Sequence, residues 1–485
     1  MNRLLLFVSF TLCIYFRSSA QTGNSFTLFE VIEMAKNQSP FSLQAETRKE
    51  NRYWQYKTYQ SDYNPQLSLR GVLPDYNSRV IARDQDDGST DFIAVSNSNS
   101  TLTLSLRQAI GITGGEVFVS SELRRFDNFK TDYAIYSGDP AFIGFNQPIF
   151  GFNRFKWARK IEPLRYEESK RDYVEAMENI SLNATQLFFD LLLAQINLQI
   201  AAKNLANNDT ILTIAKGRYN LGKIAENDLL QLELNTLTSR MEVSQAKLDL
   251  ETFSLQLKTY IGYSADKNIA LVVPDEIPVF LIEEELAIAQ ARKNRQDAIS
   301  FQRQVLEAQR EVAQARGDNG FNMNVFATFG LTNRGDQIPD IYSNPQNQQS
   351  VRVGFDIPIV DWGRQKSVRK TAEANQKLVE YVVAQDQVSF NQEIITQIKQ
   401  FNMLREQLKI TEKADQISQS RYDISQNRYL IGRISITDLN LALRDKDLAK
   451  RSYLSSLRNF WTAYYNLRKL TLYDFDSGTI LYSGE

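Results

Sequence analysis

The stretch "RYNLGKIAENDLL" (Arg218–Leu230) decides how this chain is read, because "RYLIGRISITDLN" (Arg428–Asn440) says nearly the same thing again. Arg218 and Arg428 stand 428 − 218 = 210 residues apart, and Gly222 with Gly432 and Asp228 with Asp438 keep that interval. The register also holds upstream: "FNQPIFGFNR" from Phe145 aligns with "FDIPIVDWGR" from Phe355, Pro148 with Pro358 and Arg154 with Arg364. An interval kept across such a distance marks an internal duplication. Earlier still, "KN" at Lys36 and at Lys293 is 257 apart, so the first copy carries 257 − 210 = 47 additional residues between its strands.

The residues leading to the first tip predict a long helix. From Leu164 to Tyr219 there is no proline, and no glycine before Gly217; at ~1.5 Å per residue this is a rod of roughly 80 Å. Ile180, Ala184, Leu187, Leu191, Ala194, Leu198, Ala201 and Leu205 step alternately by four and three, a heptad seam. Leu182, Phe189, Leu193, Ile196 and Ile200 form a second seam on nearly the opposite side, since two residues turn a helix by about 200°. Two seams require two neighbours, as in a wall of side-by-side helices. The helix expected from Asp228 carries Leu230, Leu234, Leu237, Met241 and Leu248 at the same spacing.

Strict alternation appears in two clusters of short segments. "SVRVGFDIPIV" (Ser350–Val360) places Val351, Val353, Phe355, Ile357 and Ile359 on one face, and "NMNVFATFGL" (Asn322–Leu331) does the same with Met323, Val325, Ala327, Phe329 and Leu331. In the first half the counterparts are "PQLSLRGVL" (Pro65–Leu73) and "AFIGFNQPIF" (Ala141–Phe150). Between them lies an additional alternating pair, Thr101–Ile110 and Glu116–Leu123, joined by "GITGG". Segments of about ten residues, apolar outward and polar inward, are the pattern of transmembrane β-strands. A soluble β-sandwich face has the same period. The acidic "DQDDG" (Asp84–Gly88) falls in the long first-copy loop; a calcium site there lacks a glutamate at its twelfth position, which favours a solvated loop.

Composition narrows the function. The 485 residues are 42% hydrophobic and 23% charged, enough to bury a core, and the net charge of -1 offers no basic footprint for nucleic acid. Histidine is absent, which removes Ser-His-Asp and Cys-His catalysis and imidazole metal sites. With no P-loop and no CxxC pair either, no enzyme, no cofactor and no metal are expected. "MNRLLLFVSFTLCIYFRSSAQ" opens with Arg3, an apolar run from Leu4 to Phe16 and small residues at Ser18–Ala20, the pattern of a secretory signal over residues 1–20, with maturation near Gln21. An anchoring helix would need about 20 apolar residues. Cys13 is the only cysteine and sits inside the apolar run, so the exported chain is expected to carry no disulfide.

The duplicated tips and this order of elements resemble the TolC family of outer-membrane channel proteins, over essentially the whole mature chain. The resemblance implies a mixed fold: a transmembrane β-barrel completed by trimerisation, continuing into a long periplasmic α-helical barrel, built from two internal repeats. The repeats are expected over 21–270, with a tip near 218–228, and 271–485, with a tip near 428–438 and a C-terminal equatorial tail. Four strands per chain, or six with the extra pair, cannot close a barrel alone, since about eight is the minimum; three copies of four would give twelve. The resemblance implies a homotrimeric exit duct of an efflux or type I secretion system, in the outer membrane of a Gram-negative bacterium and against its lipid. Its partners would be a periplasmic adaptor (membrane fusion) protein and an inner-membrane transporter of the RND, ABC or MFS type.

By the same resemblance Leu221, Gly222, Lys223, Ile431, Gly432 and Arg433, flanked by Arg218 and Arg428, would dock the adaptor. Tyr429 and Asp438 would hold the periplasmic entrance closed, with Arg433 one turn from Asp438. The match departs at the family's second constriction aspartate, which is Leu441 here, and at its basic residue, which appears at Arg433, one place early. A capping role for Asp438 at the start of its helix is the alternative. A general diffusion porin would share the strands without the helical hairpins. A periplasmic coiled-coil scaffold would share the hairpins without the strands.

Overall fold

The computed structural model describes residues 25–482 apart from 265, 267 and 279. The export signal over 1–20 and the mature start near Gln21 lie outside the described residues. The first half runs β1 (Ser25–Phe26), α1 (Leu28–Gln38), α2 (Pro40–Ser61), β2 (Gln66–Val72), β3 (Tyr76–Asp84), β4 (Thr90–Ile110), β5 (Gly115–Asn128), β6 (Tyr133–Ile149), α3 (Arg154–Asn220) and α4 (Glu226–Ile261). The second runs β7 (Ala270–Leu271), α5 (Glu284–Asn294), α6 (Gln296–Asp318), β8 (Asn322–Gly335), α7 (Ile338–Tyr342), β9 (Gln346–Asp356), α8 (Arg364–Leu430), α9 (Ile436–Thr471), β10 (Tyr473–Asp474) and β11 (Thr479–Ile480). Both ends of α3 and α8, and both ends of α4 and α9, recur at the 210-residue interval read from the tips. No helix among the described residues is long and apolar enough to cross a membrane.

The chain divides into two compact units. One comprises residues up to Gln44, Ala176–Leu281 and Ile398–Lys469. Here the contacts set four helices side by side. Asn208 donates to Ser239 at 2.9 Å between α3 and α4, and Asn204 donates to Asp447 at 2.6 Å between α3 and α9. Lys450 meets Asp415 at 3.1 Å and Arg421 meets Asp445 at 2.8 Å between α9 and α8. The order is therefore α4, α3, α9, α8. Both α3 seams are filled, with Ile180, Ala184 and Leu191 buried on one and Leu182 and Phe189 on the other. The seam on α4 is not: Leu230, Leu234, Leu237, Met241 and Leu248 all stay more than half exposed. At the other margin, α8 and its tip expose Met403, Ile410, Ile417, Ile424 and Ile431, every seventh residue.

At the far end of this unit Glu178, 3% exposed, is clamped by Lys36 at 2.8 Å and Arg468 at 2.9 Å. Burial pushes its carboxyl pKa up, but the two cations outweigh that and hold it below the ordinary glutamate range. Phe460, Trp461 and Phe401 are buried in the same unit.

The other unit comprises Ala45–Glu175, Ile282–Gln397 and the residues from Leu470. It holds a seven-stranded antiparallel sheet among the described residues, in the order β2-β4-β5-β6-β8-β9, with β3 paired to the outer part of β4. The additional alternating pair thus lies inside the sheet, between β2 and β6. Register places Leu67, Leu106, Val119, Ile143 and Phe329 in one cross-strand row, between 41% and 68% exposed. The neighbouring row on the opposite face reads Ser68, Ser105, Ser120, Phe142 and Gly330. Ion pairs share that face, including Arg107 with Glu116 at 3.3 Å and Arg124 with Asp139 at 3.3 Å. The exposed face is thus apolar, as in a membrane-facing sheet, and the opposite face mixes serines and ion pairs with the Phe118, Phe142 and Phe326 rings.

Two features depart from the sequence expectation. The long helix begins at Arg154, ten residues before Leu164, and runs through Pro163. That proline forfeits one backbone bond, but the turns before it are held by buried Phe155 and Ile161 and by the Tyr63 hydroxyl donating to the Phe155 carbonyl at 2.8 Å. The long first-copy loop is instead largely β3 and the outer arm of β4. The acidic "DQDDG" is their hairpin turn: Gly88, at φ +84, donates to Gln85 at 3.0 Å, Asp87 accepts from Ser89 and Asp84 from Thr90.

Candidate functional site

Each RYxxG stretch ends a 67-residue helix and precedes a 36-residue one. At the first tip Gly222 has φ +68, its N–H donates to the Tyr219 carbonyl at 2.8 Å, and Lys223 N–H donates to Arg218 at 2.9 Å. At the second, Gly432 has φ +75, donates to Tyr429 at 2.9 Å, and Arg433 donates to Arg428 at 2.9 Å. Both are Schellman closures, in which the residue after the helix takes the left-handed conformation that glycine adopts without strain. A Cβ at either glycine would meet nothing within 4 Å. The backbone conformation, not crowding, selects glycine here.

The descending helices start differently. Ser435 and Asp438 form a reciprocal cap: Ser435 N–H donates to the Asp438 carboxylate at 3.2 Å, and Asp438 N–H donates to Ser435 Oγ at 3.2 Å. The Ser435 hydroxyl also reaches Asp438 at 2.7 Å, and these hydrogen bonds hold the Asp438 pKa down. At the first tip Ala225 occupies the cap position and offers no side-chain bond, leaving Glu226 and Asp228 to face the helix N-terminus.

Between the two hairpins lies a small apolar core of Ile211, Ala215, Leu232, Tyr422, Tyr429, Leu439 and Ala442. Ile224 and Ile434, one from each tip, pack against it. Tyr429 is 8% exposed, and the Arg218 guanidinium lies over its ring at 5.8 Å, so the two RY stretches touch. Burial raises the Tyr429 pKa; Arg218 opposes and Asp228 adds to it, and the phenol stays neutral. One step up, Tyr422 accepts a hydrogen bond from Asn207 at 3.2 Å and takes the Lys446 ammonium over its ring at 4.4 Å.

The structure therefore sorts the predicted residues into two groups. Leu221, Gly222, Lys223, Arg428, Ile431, Gly432 and Arg433 are exposed at the tips, with Leu221 at 71%. Arg218 and Tyr429 turn inward and join the hairpins. The Asp438 carboxylate is engaged by Ser435 rather than by Arg433 or Tyr429 within the chain. Sequence reasoning did not single out Tyr422 or Asp228 for the site. The spacing of seven from Tyr422 to Tyr429 was the available signal for the first.

A family model described as outer membrane efflux protein matches residues 31–263 and 287–471, spanning both tips. The chain belongs to the outer membrane efflux protein family. Solved structures share its fold. The CmeC outer membrane channel of Campylobacter jejuni superposes with a TM-score of 0.66 at 16% identity, covering 93% of this chain and 87% of that one. A membrane protein from Pseudomonas aeruginosa gives 0.65 at 14% identity, covering 92% and 93%. The open state of the MtrE outer membrane channel of Neisseria gonorrhoeae gives 0.60 at 14%, covering 92% and 88%. No curated protein sequence matches the chain. The efflux family so assigned has the helix-plus-β-domain fold of these channels, as the duplicated tips implied.

Proposed function

We propose that three copies of the chain close an exit duct, with a β-barrel in the outer membrane and an α-helical barrel in the periplasm, that receives cargo from an inner-membrane pump through a periplasmic adaptor. The observation that carries this is a pair of unfinished margins in each unit. The helical row ends in exposed heptad stripes on α4 and α8, and the sheet ends in β2 and β9 without a further partner among the described residues. Open strand edges and apolar seams both call for another copy of the same chain. The outward apolar row of the sheet supports a lipid contact and disfavours a soluble scaffold. The paired long hairpins disfavour a simple diffusion porin.

The duplication supports dividing the mature chain at about residue 270, after a signal over 1–20. Exposed Leu221, Lys223, Ile431 and Arg433 are the surface offered to the adaptor, while Tyr429 under Arg218 keeps the two hairpins together at the entrance. Photo-crosslinking residues at positions 221 and 431 test this: both should capture one periplasmic adaptor protein in living cells. Capture of that adaptor by a residue at exposed Leu255 of α4, and not by the tips, would refute the docking assignment.

A further inference from the structure

By the interval that relates the halves, β2 corresponds to β8 and β6 to β9. In the second half the two corresponding strands pair directly, β8 with β9 over eleven residues. In the first half they do not: β2 pairs with β4 over seven residues and β5 pairs with β6, so two strands stand between them. The inserted hairpin is not an outward decoration. Its turn lies at the end of the sheet where the helices join, because Asn153, beside the start of α3, donates to Ile112 at 2.9 Å and to Gly111 at 3.3 Å. Gln108 likewise donates to the Tyr63 carbonyl, beside the start of β2, at 2.8 Å. At that end β4 and β5 therefore stand level with β2 and β6, and they share their outward apolar rows, Leu104 and Leu106 against Leu69 and Leu67, and Val119 against Ile143.

We infer that each copy places six strands, not four, across the membrane, so that the ring of three holds 3 × 6 = 18 strands. The inference rests on the three-copy outer-membrane reading above. Its closure is geometrically consistent: β2 leads away from the helical end and β9 leads back to it, so β9 of one copy meets β2 of the next antiparallel, as every other pair in the sheet does. With strands about 4.8 Å apart and tilted about 40°, eighteen strands give a backbone diameter of about 36 Å, half again the width of a twelve-stranded ring at the same tilt.

Spin labels decide the point, since Cys13 is the only cysteine of the full sequence. Leu104→Cys and Val119→Cys would be labelled on the inserted strands, with Leu69→Cys and Val353→Cys as references on the flanking ones. In reconstituted protein all four labels should relax faster with oxygen than with a water-soluble nickel chelate, and a label at Ser105 on the opposite face should do the reverse. If positions 104 and 119 follow the nickel chelate while 69 and 353 follow oxygen, the hairpin lies outside the membrane and the inference is overturned, with the duct intact. If all four follow nickel, the sheet is not in lipid and the outer-membrane reading falls as well. A strand count of twelve in an axial reconstruction of the trimer would also overturn it.

Discussion

Replacing Ile417 by aspartate should dissociate the proposed trimer. Ile417 lies mid-way along the α8 stripe and is 58% exposed in the single chain. Full burial of such a side chain is worth about 1.5–3 kcal/mol, so the part left to bury against a neighbour contributes about 1–2 kcal/mol per copy, or about 3–5 kcal/mol for three interfaces. At about 1.4 kcal/mol per factor of ten, losing it weakens the ring by roughly a hundred-fold to a few thousand-fold. Aspartate adds the cost of an unpaired charge in an apolar seam, so these are lower bounds. Light scattering of detergent-purified protein across a dilution series reads the shift directly, with Ile417→Val as the conservative control. If the Ile410, Ile417 and Ile424 triple aspartate variant remains trimeric to the same dilution as the wild type, the stripe is not the interface and the ring must close elsewhere.

Gly432→Val should abolish export at normal abundance, because a β-branched residue resists the positive φ of the tip closure at a cost of about 1–2 kcal/mol or more; a transport assay beside a membrane blot checks it. Tyr429→Ala should raise single-channel conductance by removing the ring that joins the hairpins, whereas Tyr429→Phe should not; equal conductance in both would leave Tyr429 as ordinary packing. Asp438→Ala should leave conductance unchanged, since only a helix cap of about 1 kcal/mol is lost, and an opened channel would show that the carboxylate also latches neighbouring copies. Glu178→Ala should lower the melting temperature, because it removes the buried carboxylate that half-buried Lys36 and Arg468 share, a loss of up to about 3 kcal/mol. Its pH dependence has a defined sign: the folded pKa is depressed, so the stabilisation is full above the unfolded value near 4.3 and fades as pH falls through the lower folded value. A melting temperature in wild-type protein that stays flat under acidification through that window would contradict it.

What the sequence made readable were features with a period. The α3 seams, the sheet's alternation and the 210-residue interval all survive into the structure because a repeating apolar pattern has one geometry that buries it. β3 escaped because Val80 and Ile81 are adjacent and its strand is exposed along its whole length; with no buried face there is no alternation to see. The start of α3 escaped because Pro163 masks it, and its compensation comes from Tyr63, a residue distant in sequence. At the tips, the glycine turns were readable because local backbone chemistry fixes them. That Arg218 turns inward onto Tyr429 was not, since the pairing links residues 429 − 218 = 211 apart and depends on how two hairpins meet. Within the chain, the cap on Asp438 depends on Ser435, three residues away, whose hydroxyl completes it.

The clamp on Glu178 carries a consequence for the order of events during export. Its partners come from Lys36, 142 residues before it, and Arg468, 290 residues after it. The unit containing them is assembled from three separate stretches of chain. A polypeptide that emerges through a membrane from its N-terminus onward cannot finish that unit until nearly its last residues have arrived. Until then a carboxylate destined for burial must stay in water, and the helices around it have no reason to seal. A chain truncated before Arg468 would lack one of the two cations on Glu178 and the end of the helix that carries it, and should fail to complete this unit.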